Sequence, residues 1–217
     1  MTPLYEVIIN KNTTTKPVWI MRQAGRYLPE FREIRKDNPN FIELCLNHKL
    51  SSEITLQPIK RFNLDAAIIF SDILMLPYGL RQKVEFKKNF GPLLDNLDIK
   101  LMSKVDEIDF TEKVYPVYKA IKSVSSEMNL KNKNTIGFVG APWTLLVYMI
   151  NQQSPKKEVK KNFFTDDYLI NRTLLIIEKF LKIHIKNQIE NGANVIQIFD
   201  SWAGLLLSLI HISEPTR

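Results

Sequence analysis

A single cysteine, Cys45, stands in a chain of 217 residues, so no intrachain disulfide can form and no Cys-based metal cluster can be built. Such sparing use of thiols suits a reducing compartment, and the expectation is a cytoplasmic protein. No apolar run reaches the ~18 residues that a membrane-spanning helix needs, and the first residues lack the basic-then-apolar order of a secretory signal, so no membrane partner is expected. Nucleotide cofactors have no visible seat. There is no G-x-x-x-x-G-K loop followed by Ser or Thr, and no G-x-G-x-x-G after a strand. His48, His184 and His211 form neither H-x-x-x-H nor H-E-x-x-H, which leaves no zinc pairing, and His184 on an apolar helix face reads as a satisfied structural histidine. Zinc-finger spacing, an RNP-like aromatic run and a glycine-rich arginine segment are also missing, so no nucleic-acid partner is expected.

What is present is an ordinary globular composition with a basic bias. Apolar residues make up 45% and charged residues 24%, which excludes disordered, collagenous and acidic-tail classes. Lys and Arg outnumber Asp and Glu by 30 to 23, a net charge of +7. The lysines gather at Lys87-Lys88, Lys131/Lys133, Lys156-Lys157 and Lys160-Lys161. Such clusters are either solvated faces or a field for small anions.

The stretch from Met1 to about Asn47 is rich in turn residues, among them Thr13-Thr14-Thr15, Pro17, Pro29 and Pro39. Within it, Arg22 and Arg26 lie four apart around Ala24-Gly25. A helix is predicted from about His48 to Phe62, kinked or shortened by Pro58 and broken by Asn63. Three short apolar runs read as strands buried on both faces, as in a parallel sheet: Ala66–Phe70, Thr135–Gly140 and Asn194–Phe199. Residues 78–99 suit an extended excursion or hairpin, and a helix is predicted over Thr111–Met128, entered around Pro116. Pro142 should open another helix carrying Thr144 and Tyr148 on one face. Thr165 or Asp166 should cap a long helix that Gly192 stops in a left-handed position. Strands alternating with helices, each strand followed by polar residues, give a parallel α/β fold, and both its barrel and its open-sheet forms carry sites at the strands' carboxyl ends. No repeat and no linker divides the chain.

Several residues could carry chemistry. Arg22 and Arg26 offer planar forks that match carboxylates bidentately, with two small residues between them that let a ligand approach the backbone; two surface arginines in a loop are the plainer alternative. Asp72 closes the first strand, where an enzyme would present a catalytic group, but an acid there can also cap the next turn. Tyr148 fits a buried tyrosine with a satisfied hydroxyl. Ser201 follows the third strand without a G-x-S-x-G elbow, so hydrogen bonding suits it better than nucleophilic attack. Cys45, between Leu44 and Leu46, reads as a small buried hydrophobe.

Four motifs in order carry a resemblance: Met21-Arg22-Gln23-Ala24-Gly25-Arg26-Tyr27-Leu28-Pro29, the run Leu64–Leu74 containing Phe70-Ser71-Asp72, the run Gly137–Leu145 containing Ala141-Pro142-Trp143-Thr144, and Phe199-Asp200-Ser201-Trp202-Ala203-Gly204. From about Pro17 to Leu206 the chain resembles the uroporphyrinogen decarboxylase family. The resemblance implies a (β/α)8 TIM barrel that converts uroporphyrinogen III to coproporphyrinogen III in haem biosynthesis, removing carbon dioxide from each acetate arm without metal or organic cofactor. It implies a homodimer when full length and an anionic tetrapyrrole as substrate. It also implies that Asp72 sits at the centre of the macrocycle, accepts the pyrrole N–H bonds and stabilises the cationic intermediate. Arg22 and Arg26 would bind carboxylate arms, with Gln23, Ala24 and Gly25 shaping the same wall, and Tyr148 and Ser201 would contact the arms. Arg22 is a candidate proton donor, although its high pKa makes positioning its first role.

A complete barrel of this kind needs roughly 250 residues, whereas only three strand–helix units can be counted. A further substrate-contacting histidine of the family has no match. The expectation is therefore an incomplete amino-terminal portion of one barrel domain over residues 1–207, followed by a non-native tail over 208–217 that resembles foreign sequence. Two other readings compete: a corrinoid-linked or methionine-synthase-like methyltransferase of the same superfamily, and a non-catalytic binder of anionic tetrapyrroles.

Overall fold

The computed structural model describes residues 2–12, 14–87, 90–155 and 166–205. Lys88, Lys156-Lys157, Lys160-Lys161, Thr165, His211 and the expected 208–217 tail lie outside the described residues. The chain divides into two compact units, one made of Met1–Asp72, Thr111–Phe138 and His184–Gln197, the other of Ile73–Phe110, Val139–Ile183 and Ile198–Arg217.

The turn-rich reading of the amino-terminal stretch holds for the described residues of 9–28, where Thr14, Thr15 and Pro17 lie outside any helix, but three helices flank that segment: α1 (Pro3–Ile8), α2 (Pro29–Asp37) and α3 (Phe41–Leu46). Of the residues that suggest turns, Pro29 is a helix starter. Pro3 and Pro29 sit in first turns, where the missing N–H costs nothing, and the Asn40 side chain accepts from the N–H groups of Ile42 and Glu43. In α4 (His48–Arg61), capped by Asn47, Pro58 does not break the helix, which ends at Phe62 just short of Asn63.

Strand β1 covers only Ala66–Ile68, shorter than the expected run to Phe70. The cause is α4: Thr55 Oγ1 accepts from Phe70 N at 2.8 Å and Ser51 Oγ donates to Phe70 O at 2.7 Å, so helix side chains take the groups that a ladder would use. After a hairpin of β2 (Val84–Lys87) and β3 (Gly91–Leu94) comes β4 (Asn134–Gly140), and then β5 (Val195–Phe199). The main sheet has the order β1-β4-β5, with β1 parallel to β4 and Ala67 opposite Thr135. The third strand is not buried on both faces as expected. At an edge of the sheet, β5 is half-exposed throughout, and Ile198 keeps 54% of its surface.

In the first unit, Leu28, Phe31, Leu44 and Ile54 form a core against which Ala24, Ile34, Leu50 and Phe70 pack, with the Phe31 and Phe41 rings edge-on to Phe70 at 5.7 Å. This cluster seats the segment 21–28 beside the end of β1. Beyond the short α6 (Ile99–Met102), helix α7 (Glu107–Leu130) starts well before the expected entry at Pro116, because Asp106 Oδ1 accepts from Asp109 N and caps it, and Pro116 lies inside. In the second unit, Pro142 opens α8 (Pro142–Asn151) as expected, and Asp166 accepts from Leu169 N at the head of α9 (Asp167–Glu190). The stop after α9 is Gly192 at φ 105°, the left-handed position predicted for it. Among the described residues no helix is long and apolar enough to cross a membrane.

Candidate functional site

The residues singled out in the sequence fall into two groups, one in each unit. In the first unit, segment 21–28 alternates between anchors and free side chains: Gln23 and Leu28 are buried while Arg22 and Arg26 are exposed. The buried Gln23 amide reaches β1, where Nε2 donates to Ala66 O at 2.7 Å and Oε1 accepts from Ile68 N at 3.1 Å. This is a two-bond clamp on the backbone of β1. The Tyr27 hydroxyl donates back to Gln23 O, Leu28 N donates to Gly25 O at 3.0 Å, and Arg32 donates to Arg26 O at 2.8 Å. With its carbonyls so engaged, the segment holds the two guanidinium stems outward. The fold does not itself require glycine at position 25. A Cβ there would meet only the Tyr27 ring at 3.5 Å, which is ordinary contact.

Asp72 is half-buried past the end of β1, and the N-cap of the following short helix α5 (Met75–Gly79) is Leu74 rather than Asp72. Its charge is felt by a neighbour. Burial pushes the Cys45 thiol well up from its ordinary value, the Asp72 carboxylate pushes it further, and the Arg35 guanidinium partly offsets them. Arg35, in turn, is lowered by burial and by the repulsion of Arg26. It lies over the Phe41 ring at 5.8 Å and donates to Asn38 O. Arg26 thus acts on Arg35, and Arg35 and Asp72 act with opposite sign on Cys45. Arg35 was not singled out in the sequence. Its three-residue step from Arg32 reads there as an ordinary exposed helix face, and only tertiary packing brings it within the electrostatic reach of Cys45.

The second group lies in the other unit. Tyr148 is half-buried on α8, its ring edge-on to Trp202 at 6.2 Å. Ser201 is exposed. Around it, Thr144 Oγ1 donates to Asp200 Oδ1 at 2.7 Å and accepts from Trp202 N at 3.1 Å, and Trp143 Nε1 donates to Trp202 O at 2.9 Å. Thr144, Asp200 and Trp202 were not expected to interact, because 56 residues or more separate the partners and no local pattern joins them. His184 is the satisfied core histidine it was expected to be, sharing a hydrogen bond with Tyr118 Oη at 2.8 Å, and Cys45 is fully buried. Among the described residues no group of three His, Cys, Asp or Glu side chains is placed to hold a metal ion.

A parallel β1–β4 pair with intervening helices, and polar residues gathered after the strands, define an α/β protein of the class that builds its site at the strands' carboxyl ends. A family model described as uroporphyrinogen decarboxylase (URO-D) matches residues 1–209, and the chain belongs to that family. It is 46% identical over 193 residues to the uroporphyrinogen decarboxylase of Rickettsia bellii, covering 88% of this chain and 56% of the relative. It is 41% identical to that of Agrobacterium fabrum, covering 92% and 58%. The chain thus spans a little over half the length of these curated relatives. Among solved structures, a methyltransferase from Methanosarcina mazei matches with a TM-score of 0.69 at 15% identity, covering 91% of this chain and 58% of that one, a likeness of fold.

Proposed function

We propose that residues 1–207 form the amino-terminal portion of a (β/α)8 uroporphyrinogen decarboxylase barrel, a cytoplasmic carboxy-lyase that is a homodimer when full length, and that 208–217 are a non-native tail. The observation that carries the reading is the exposed pair Arg22 and Arg26 on a segment that the buried Gln23 clamps to β1, the strand that the half-buried Asp72 follows. Two exposed cations and one half-buried carboxylate match a ligand with carboxylate arms around a ring of N–H donors.

The chemistry follows. When an acetate arm loses carbon dioxide, the C–C bonding pair stays on the methylene carbon and needs an acceptor. A pyrrole protonated on a ring carbon beside the arm takes that pair into its ring, a second proton then converts the methylene to the methyl product, and the ring releases the first proton to become a pyrrole again. Asp72 accepts the pyrrole N–H bonds and stabilises the cation, which is preorganised electrostatics with a negative group aimed at developing positive charge. Arg22 and Arg26 bind neighbouring arms bidentately, and Gln23, Ala24 and Gly25 form the wall between them. Arg22 orients the reacting arm first and serves as its proton donor only second. Tyr148 and Ser201 contact the remaining arms through their hydroxyls.

The test continues the chain to the full length of its relatives and follows coproporphyrinogen formation. Asp72→Asn and Asp72→Ala should each lower turnover by about a hundredfold or more. A protein that binds porphyrin but shows no turnover even with Asp72 intact would instead be a tetrapyrrole binder. Product formation by the isolated 217-residue chain would overturn the reading of it as a portion of a barrel.

A further inference from the structure

Ser201 stands exposed between two residues that are both held by one buried hydroxyl. Thr144 is fully buried on the first turn of α8, and its Oγ1 donates to Asp200 Oδ1 at 2.7 Å while accepting from Trp202 N at 3.1 Å. The residue before Ser201 is thus tied by its side chain and the residue after it by its backbone, to the same oxygen. Two more bonds fix the flanks: Ala141 N donates to Phe199 O at 2.8 Å and Trp143 Nε1 donates to Trp202 O at 2.9 Å. The helix end that supplies them is itself wedged. A Cβ on Gly140 would meet Leu145 Cδ2 at 2.9 Å and Ile73 Cβ at 3.2 Å, so the backbone there sits as close to its neighbours as only glycine allows.

We infer that Thr144 is a positioning residue: its hydroxyl sets the Asp200-Ser201-Trp202 turn and so fixes where the Ser201 hydroxyl is offered to a carboxylate arm. The inference rests on the decarboxylase reading for the identity of the ligand. Its chemistry does not, since only a side chain that both donates and accepts at this depth can hold both ends of the turn. Serine keeps that capacity. Valine, of the same shape, has neither function and leaves a carboxylate and an amide without their partner. A threonine that merely filled the core would tolerate valine as well as serine.

The experiment uses the whole chain, with Thr144→Val, Thr144→Ser, Ser201→Ala and the Thr144→Val/Ser201→Ala double variant. Amide exchange at Trp202 reads the turn, and the fluorescence of added uroporphyrin reads binding. Thr144→Val should speed exchange at Trp202 by about tenfold or more, with the α8 amides unchanged, while Thr144→Ser stays within about twofold of the parent. Uroporphyrin affinity should fall by about the same factor in Thr144→Val and Ser201→Ala, and the double variant should bind no more weakly than either, since both changes remove one contact. Unchanged exchange at Trp202 in Thr144→Val overturns the inference. So does a valine effect on affinity that persists at full size without the Ser201 hydroxyl. Should Thr144→Val lose the slow amides of α8, Asp200→Ala at the exposed end of the same bond takes its place, with the same non-additivity expected. Failure of the parent chain to bind uroporphyrin is what a portion of the barrel would give, so the decarboxylase reading is tested on the chain continued to the length of its relatives, and the exchange measurement then decides the role of Thr144 by itself.

Discussion

Tyr118 Oη and His184 Nδ1 lie 2.8 Å apart with both rings buried, a pairing that bridges α7 and the last turns of α9. Burial holds the imidazole neutral, lowering its pKa to about 4 from an ordinary value of 6.5. It also pushes the Tyr118 phenol well above its usual range. The folded-state pKa of His184 is depressed, so the contribution is complete above pH 6.5. It is lost as pH falls towards 4, where the unfolded chain takes up a proton that the folded chain refuses. The loss across that window is on the order of 3 kcal/mol. Urea midpoints should therefore fall between pH 7 and pH 5, and the fall should shrink in His184→Gln. An equal pH dependence in that variant would assign the effect to other groups.

Removing the phenol alone should also be measurable. Tyr118→Phe removes one hydrogen bond from the buried imidazole, at a cost of about 1 kcal/mol. Because the hydroxyl is lost without a change of ring, the shift should appear in the denaturant midpoint with an unchanged slope.

The Gln23 clamp predicts a larger effect. Gln23→Leu keeps the volume but strands Ala66 O and Ile68 N in a buried setting, which should cost about 2–4 kcal/mol. Exchange at the Ile68 amide should rise first, because that group loses its acceptor outright. If Ile68 remained as protected as in the parent, the clamp would not be what holds segment 21–28 to β1.

These clamps also mark where reading the sequence stops. Patterns that act within a few residues were legible: the three apolar runs became β1, β4 and β5, Gly192 took its left-handed turn, and Pro142 and Asp166 started their helices. The prolines of the first 47 residues suggest turns because the same chemistry that starts a helix also makes a turn. What decides between them is the apolar face that follows, and α1 and α3 are too short to show one. The site divides in the same way. Arg22, Arg26, Asp72, Tyr148 and Ser201 could be named from motifs, whereas Gln23's partners lie 43 and 45 residues away and Thr144's partners 56 and 58. A glutamine or threonine in a sequence does not say which backbone it will meet.

Gly137 tests a second clamp of the same kind. Gln188 Oε1 accepts from Phe138 N at 2.9 Å and its Nε2 donates to Phe138 O at 3.0 Å. A Cβ on Gly137 would overlap that Oε1 and come within 2.9 Å of Ile196 Cδ1. The amide is tied at both ends and cannot swing aside, so Gly137→Ala should cost about 2–4 kcal/mol through overpacking and a broken pair. Thermal unfolding of the two chains checks this. A tolerated alanine would mean that the Gln188 amide has another place to go.

Cys45 offers the most direct report on the charge neighbourhood. The thiol is fully buried, and burial is the largest cause of its raised pKa, with Asp72 second. A thiol-specific disulfide reagent at pH 8 should therefore label the native chain only as fast as it opens, and should label it promptly in denaturant. Asp72→Asn removes a like charge and lowers the thiol pKa, yet it leaves the packing that keeps the reagent out. Labelling of the native variant should thus stay slow, while the pH at which the thiol ionises moves down. Prompt labelling in the parent chain at low urea would mean that the core formed by α3 and α4 is not held closed. Slow labelling with no change of ionisation in Asp72→Asn would mean that the carboxylate does not reach Cys45. Only that second result would separate Asp72 from the electrostatics of Cys45 and Arg35.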